Sequence, residues 1–169
     1  MNDPKPLVNR VAKSGIITLN LEDYFPTETL FVFDLADYLF RGLILREKDF
    51  REALSTHDWL QYQDQNLAIC CTAEAIIPIW AFQLVSIKAA PFAKHIYMGS
   101  EKAFLEAYYY QTLQAIDWSI YQDKRVVIKG CGEKPVPVSA YTELARLLSP
   151  VAKKIMYGEP CSMVPLYKK

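Results

Sequence analysis

Along the first third of the chain the apolar residues change spacing repeatedly, and each change marks an element. The arm "PLVNRVAKSG" predicts a short helix ending at Gly15. "IITLN" is a brief apolar run too short for helical periodicity, so it predicts a strand that stops before Leu21 to Pro26. After a second apolar run from Thr29 to Phe33, Leu35, Leu39 and Leu43 recur every four residues, which predicts a helix over Asp34 to Leu43. In "EKDFREALSTHDW", Phe50, Ala53, Leu54 and His57 fall at i, i+3, i+4 and i+7, one face of an amphipathic helix.

The remainder alternates more regularly. "NLAICC" reads as a buried strand, and Pro78 suits the first turn of a helix running to about Ile87. "KHIYM" is a strand. Ser100 caps "EKAFLEAYYYQTLQAI", whose stripe is expected at Phe104, Leu105, Tyr108 and Thr112. Arg125 to Gly130 is a strand rich in β-branched residues. Ser139 is expected to cap a helix with Tyr141, Leu144, Ala145 and Leu148 on one face. Ser149-Pro150 restarts or kinks that helix, and Gly158 stops it, with Lys153 and Lys154 near its negative end.

Strand and helix alternation predicts an α/β fold: one domain over residues 1–169, with a mixed, mostly parallel sheet, flanking helices and a less regular N-terminal half. No internal repeat is evident on this reading. A chain that is 51% hydrophobic has the material for a packed core, which excludes a disordered protein. Nineteen basic residues against nineteen acidic ones argue against a general nucleic-acid binder. Only Lys153-Lys154 and Lys168-Lys169 cluster positive charge, and both read as solvated ends.

"MNDPKPLVNR" has no apolar core of a secretory signal, and the longest apolar run, Ala75 to Phe82, is too short to span a membrane. The expectation is a cytoplasmic protein with reduced thiols, no membrane partner and no nucleic-acid partner; a homo-oligomer stays open.

The candidate chemistry is sulfur. Cys71 closes one predicted strand and Cys131 another, each ahead of a helix, where ligands of open α/β sheets collect. A helix N-terminus stabilises a thiolate. Gly130 and Gly132 flank Cys131 in "KGCGEK", and on this reading they expose the sulfur. Cys161 sits in the loop "YGEPCSM". If the final segment folds back over the sheet's edge, Cys71, Cys131 and Cys161 converge as ligands for a metal such as zinc. Against this stand the missing C-x-x-C and H-x-x-x-H spacings, and the ordinary role of cysteine as a small core residue. Cys70, alternating with Cys71, is assigned to the core.

Other groups carry weaker readings. His57 belongs to a helix end, and His95 opens a strand. A cysteine enzyme with Cys131 as nucleophile and one of these as base has no local motif behind it. Asp34 and Asp37 would share a helical face, near Glu22 and Asp23 in sequence. Tyr108-Tyr109-Tyr110 points three ways around a helix, which leaves tyrosine for solvent or a partner. "GCGEKPV" is neither dinucleotide fingerprint nor P-loop.

The stretches "KGCGEKPVPVSAYTELARLLSPVAKKIMYGEPCSMVPLYK", "HDWLQYQDQNLAICCTAEAIIPIWAFQLV" and "FDLADYLFRGLILREKDFREAL" resemble an uncharacterised, Bacteroidetes-type bacterial family of small cytosolic proteins, a domain of unknown function, over nearly the whole chain. The resemblance implies proximity to iron–sulfur assembly proteins of the SUF type as partners, and thiolates at Cys71, Cys131 and Cys161 that hold or pass iron or sulfur. It carries no activity with it. An accessory protein with a thiol-lined metal or iron–sulfur site is thus the leading expectation, ahead of a cysteine enzyme or an interaction module.

Overall fold

The computed structural model describes residues 15–130, 132–159 and 162–169. In chain order the elements are β1 (Ile16–Leu19), β2 (Leu30–Asp34), β3 (Leu39–Phe40), β4 (Ile44–Leu45), α1 (Glu47–Thr56), β5 (Asn66–Cys70), α2 (Ile79–Ala89), β6 (His95–Met98), α3 (Glu101–Gln114), β7 (Arg125–Ile128), α4 (Val138–Leu148), β8 (Lys154–Glu159) and β9 (Ser162–Lys168). The fold is α/β with mixed, mostly parallel sheets. The helix expected in the N-terminal arm lies outside the described residues.

The chain divides into two compact units. Residues 26–107 form an inserted unit; the residues before Pro26 together with 108–169 form a split unit, and the division falls inside α3. The inserted unit has a parallel sheet ordered β2-β5-β6. The split unit has β1-β7-β8 in parallel, with β9 added antiparallel at the edge of β8. Each middle strand is a continuous apolar run: Leu67, Ala68 and Ile69 in β5, Val126, Val127 and Ile128 in β7, all fully or almost fully buried. Burial on both faces is what a central parallel strand requires.

The two units repeat one another, which the sequence reading missed. β5 pairs with β6 from Asn66↔His95, and β7 with β8 from Arg125↔Lys154, so both pairs keep the same register 59 residues apart (125 against 66). The details follow. Trp59 Nε1 donates to the Leu54 carbonyl at 3.0 Å, and Trp118 Nε1 to the Leu113 carbonyl at 2.9 Å. Each indole thereby satisfies a carbonyl near the end of the preceding helix, a group without an intrahelical partner. Asp58 and Asp117 each accept from the backbone N–H two residues on, and Asp64 and Asp123 adopt left-handed φ values of 58° and 57°. Asp64 N–H then reaches the Phe92 carbonyl as Asp123 N–H reaches that of Val151. The trace in the sequence is "DWLQYQD" against "DWSIYQD".

Three expected elements differ. Over Asp34 to Leu43 no helix forms, although Leu35 is buried as expected. Asp34 ends β2 and its carboxylate accepts from Ala36 N–H at 2.9 Å, capping one 3-10 turn at Leu35–Tyr38. Arg41 and Gly42, at φ 54° and 71°, then turn β3 back onto β4. Two consecutive positive φ values make the tight hairpin turn matching strand twist, and Leu43 is left 65% exposed.

Residues 154–159 are strand, not helix. The helix ends at Leu148, and Val151 and Ala152 N–H groups close back on the Leu148 carbonyl. Ile155 and Met156 then lie in β8, paired with β7 on one side and β9 on the other. Along α3 the buried positions are Phe104, Tyr109 and Leu113, while Leu105, Tyr108 and Thr112 are half-buried. The helix is rotated from the expected stripe because its last turns pack into the split unit's core through Tyr109 and Leu113. Tyr110 is the exposed member of the tyrosine triplet, at 58%.

Candidate functional site

At the carboxyl edge of the inserted unit's sheet the backbone leaves β5 after Cys70, while β2 ends beside it at Asp34. Asp34 fixes the exit: its carboxylate accepts from Thr72 N–H at 3.0 Å and from the Thr72 hydroxyl at 2.5 Å, as well as from Ala36. Burial pushes the Asp34 carboxyl up, but the Thr72 hydroxyl and the two N–H groups outweigh it and hold it below its ordinary value. On the other side β6 ends at Met98, and Gly99 N–H bonds the Ile69 carbonyl at 2.8 Å.

Between these exits and the start of α2 lies a cleft of about 480 Å³. Ile69, Ile77, Phe82 and Met98 form its apolar wall, and Cys70, Cys71, Thr72 and Ser100 its polar one. This is where open parallel sheets place ligands, and the volume lies within the roughly 300–1,000 Å³ of small-molecule sites. Ser100 also accepts from Ala103 N–H at 3.3 Å, the expected cap of α3.

Both thiols here are free and half-buried. Cys71 Sγ donates to the Ala73 carbonyl at 3.7 Å and packs against the core of its unit. Cys70 lines the same cleft, contrary to the assignment to the core: Cys71 lies beyond the strand's end, so strict alternation no longer separates the two. Burial, then the charge of Asp34 and then Cys71 push the Cys70 thiol up. That opposes the lowering expected of a thiol near a helix N-terminus, because removal from water disfavours the thiolate.

Cys131 and Cys161 lie outside the described residues. Around Cys131, however, the reason for the flanking glycines is visible. A Cβ on Gly130 would stand 2.7 Å from Tyr157 Cζ, and one on Gly132 would collide with the Glu22 carboxylate. The glycines admit a tyrosine ring and a carboxylate, so both positions serve close packing. Lys134 N–H donates to Glu22 Oε1, and Lys134 Nζ to the Glu22 carbonyl at 3.2 Å. The Lys134 N–H, acting against burial and helped by Glu133 N–H and Lys129, holds Glu22 below the usual carboxylate range. Where a helix-leading loop of this kind presents N–H groups to an anion, the split unit supplies its own carboxylate.

The histidines are placed elsewhere. His57 Nε2 shares a 2.8 Å hydrogen bond with the Tyr62 hydroxyl and stacks on its ring, with Phe33 and Trp59 at its edges. Burial, against the pull of Asp58, lowers its pKa, so the charged form is disfavoured at this half-buried C-cap of α1. His95 opens β6 and pairs in register with Asn66, at the amino end of the sheet, opposite Cys71. Asp37 lies in the 3-10 turn that Asp34 caps, so the two do not share the helical face expected of them.

Among the described residues no group of three His, Cys, Asp or Glu side chains is placed to hold a metal ion, and no helix is long and apolar enough to cross a membrane. The sequence reading found Cys71 but not its neighbours Thr72, Met98 and Ser100; the only trace was an acidic residue closing an apolar run at Asp34. No curated protein and no solved structure matches the chain. Its likeness to a family model extends over residues 5–169, and on that match the chain belongs to the family described as protein of unknown function (DUF2480).

Proposed function

We propose that this protein is an accessory protein that handles a thiophilic group, a soft metal ion or an iron–sulfur unit, through thiols at the carboxyl edge of its sheets. The observation that carries this reading is the cleft with Cys70 and Cys71 on one wall. Thiolates are the usual ligands of iron–sulfur clusters and bind zinc well. Two thiols fall short of the four ligands of a closed structural site, so the inserted unit by itself does not fit a resident cluster. It fits a position from which a bound group is handed on. Cys131 and Cys161 are proposed as the further thiolates, and Cys131 follows the middle strand of its sheet as Cys71 follows that of the other.

The test is metal and acid-labile sulfide content of protein purified without oxygen, with the visible spectrum. Iron or zinc that falls in Cys71→Ser, and falls further with Cys131→Ser and Cys161→Ser, is the expected result. Equal metal uptake by the wild type and the triple variant overturns the reading.

A second reading, an interaction module, is favoured by one observation. The first residues of α2 and α4, which correspond in the repeat, both expose a β-branched apolar side chain: Ile79 at 75% and Val138 at 78%. Ile76 beside the cleft is 96% exposed. This reading expects concentration-dependent self-association in sedimentation that Ile76→Ser with Ile79→Ser abolishes. A monomer at all concentrations counts against it.

A further inference from the structure

The opposite edge of the split unit's sheet carries a different kind of site. Two charge clusters carried by consecutive antiparallel strands meet there. Lys154 opens β8 and Lys168 closes β9, and the two are direct cross-strand partners. Arg125 opens β7 in register with Lys154, and Lys153 precedes it. With Ile16, Met156 and Met163 as an apolar floor, these four cations border a cleft of about 320 Å³ that has no carboxylate among the described residues of its lining. Like charges facing each other across strands destabilise a sheet, and none of the four has an ion-pair partner among the described residues. The nearby carboxylate of Asp123 stands 3.9 Å from Lys169 instead.

The repeat supplies a control. In the inserted unit the positions corresponding to Arg125, Lys153 and Lys154 are Asn66, Lys94 and His95. There Asn66 is buried and Lys94 is bound by Glu28. The same backbone therefore forms without a cluster of cations, and the charge at the split unit's edge is not a requirement of the fold.

We infer that this cleft binds a small phosphorylated molecule. Lysines serve as point charges for phosphate and Arg125 offers a planar fork for two of its oxygens. The apolar floor lowers the local dielectric and strengthens each contact. The volume is at the low end of the roughly 300–1,000 Å³ of small-molecule sites, which suits a compact anion with a small organic part. The inference is independent of the thiol reading, since it concerns the other edge and another ligand class.

Inorganic pyrophosphate is the probe, in titration calorimetry at physiological salt and again at high salt. The expected result is saturable binding that weakens with salt. In Arg125→Gln/Lys154→Gln it should fall at least about ten-fold, the equivalent of one charge-assisted hydrogen bond, and it should be unchanged in Lys48→Gln/Lys102→Gln, two lysines of the inserted unit. Should the first variant fold poorly by circular dichroism, Lys153→Gln/Lys168→Gln, two exposed positions, carries the same expectation. Absence of binding at millimolar pyrophosphate, or equal binding by the edge variant, overturns the inference.

Discussion

Replacing Tyr109 by Phe isolates a single contact between a helix and the start of the split unit. Tyr109 is fully buried, and its hydroxyl donates to the carbonyl of Leu21, itself fully buried, at 2.9 Å. That bond ties α3 to the 3-10 turn at Leu21–Tyr24, which in turn presents Glu22 to the loop at Gly132 and Lys134. Phe keeps the ring and its edge contacts to Phe25 and Tyr108, so almost no cavity opens. What is lost is one buried hydrogen bond, worth about 0.5–1.5 kcal/mol, while the Leu21 carbonyl keeps its place in the 3-10 turn. Burial pushes the Tyr109 hydroxyl well above its ordinary pKa, consistent with a neutral donor throughout the accessible range. Urea unfolding followed by circular dichroism, with Trp118 fluorescence reporting on the split unit, measures the loss. Because the compact surface is otherwise intact, the slope with urea should not change. A loss below about 0.5 kcal/mol would refute the reasoning, because a buried hydrogen bond between two protein groups is worth at least about that much.

Further outcomes follow from the same contacts. Lys94 lowers the Glu28 pKa to about 2 from an ordinary 4.5, so this carboxylate contributes stability above pH 4.5 that is lost as pH falls toward 2. Glu28→Gln should therefore be less stable than wild type at pH 6, with the gap closing toward pH 2 in acid titrations. Gly132→Ala should destabilise the split unit by displacing the Glu22 carboxylate from Lys134, an effect read as a lower midpoint in thermal melts. Cys70 should react with maleimide along a pH profile shifted to higher pH than a free thiol, since burial disfavours its thiolate. An unshifted profile, read by mass spectrometry of labelled peptides, would contradict that cause.

Much of the secondary structure was legible along the chain. "NLAICC" and "RVVIKG" are strands because apolar, β-branched runs of that length fit a central parallel strand and little else. Phe50 and Leu54 faced the core as their spacing required. The reading failed where a local device overrode spacing: the Asp34 cap and the Arg41-Gly42 turn defeated a leucine repeat, and Ser149-Pro150 did not renew a helix once strand pairing was available to Ile155 and Met156. The repeat was present in "DWLQYQD" and "DWSIYQD", but few identities survive around it. What recurs is mainly hydrogen-bond geometry, such as the Trp59 and Trp118 indoles, which many sequences can support.

For the candidate sites the division is sharper. By itself the sequence determined that "NLAIC" and "RVVI" would be strands and that Cys71 would stand just past one of them, because burial on both faces demands an unbroken apolar run. Only the tertiary structure decided that Cys70 shares the cleft, that the glycines beside Cys131 admit Tyr157 and Glu22, and that Lys154 meets Lys168. Those outcomes depend on which segments pair and in what register, and that is settled between strands and loops together rather than within any one of them.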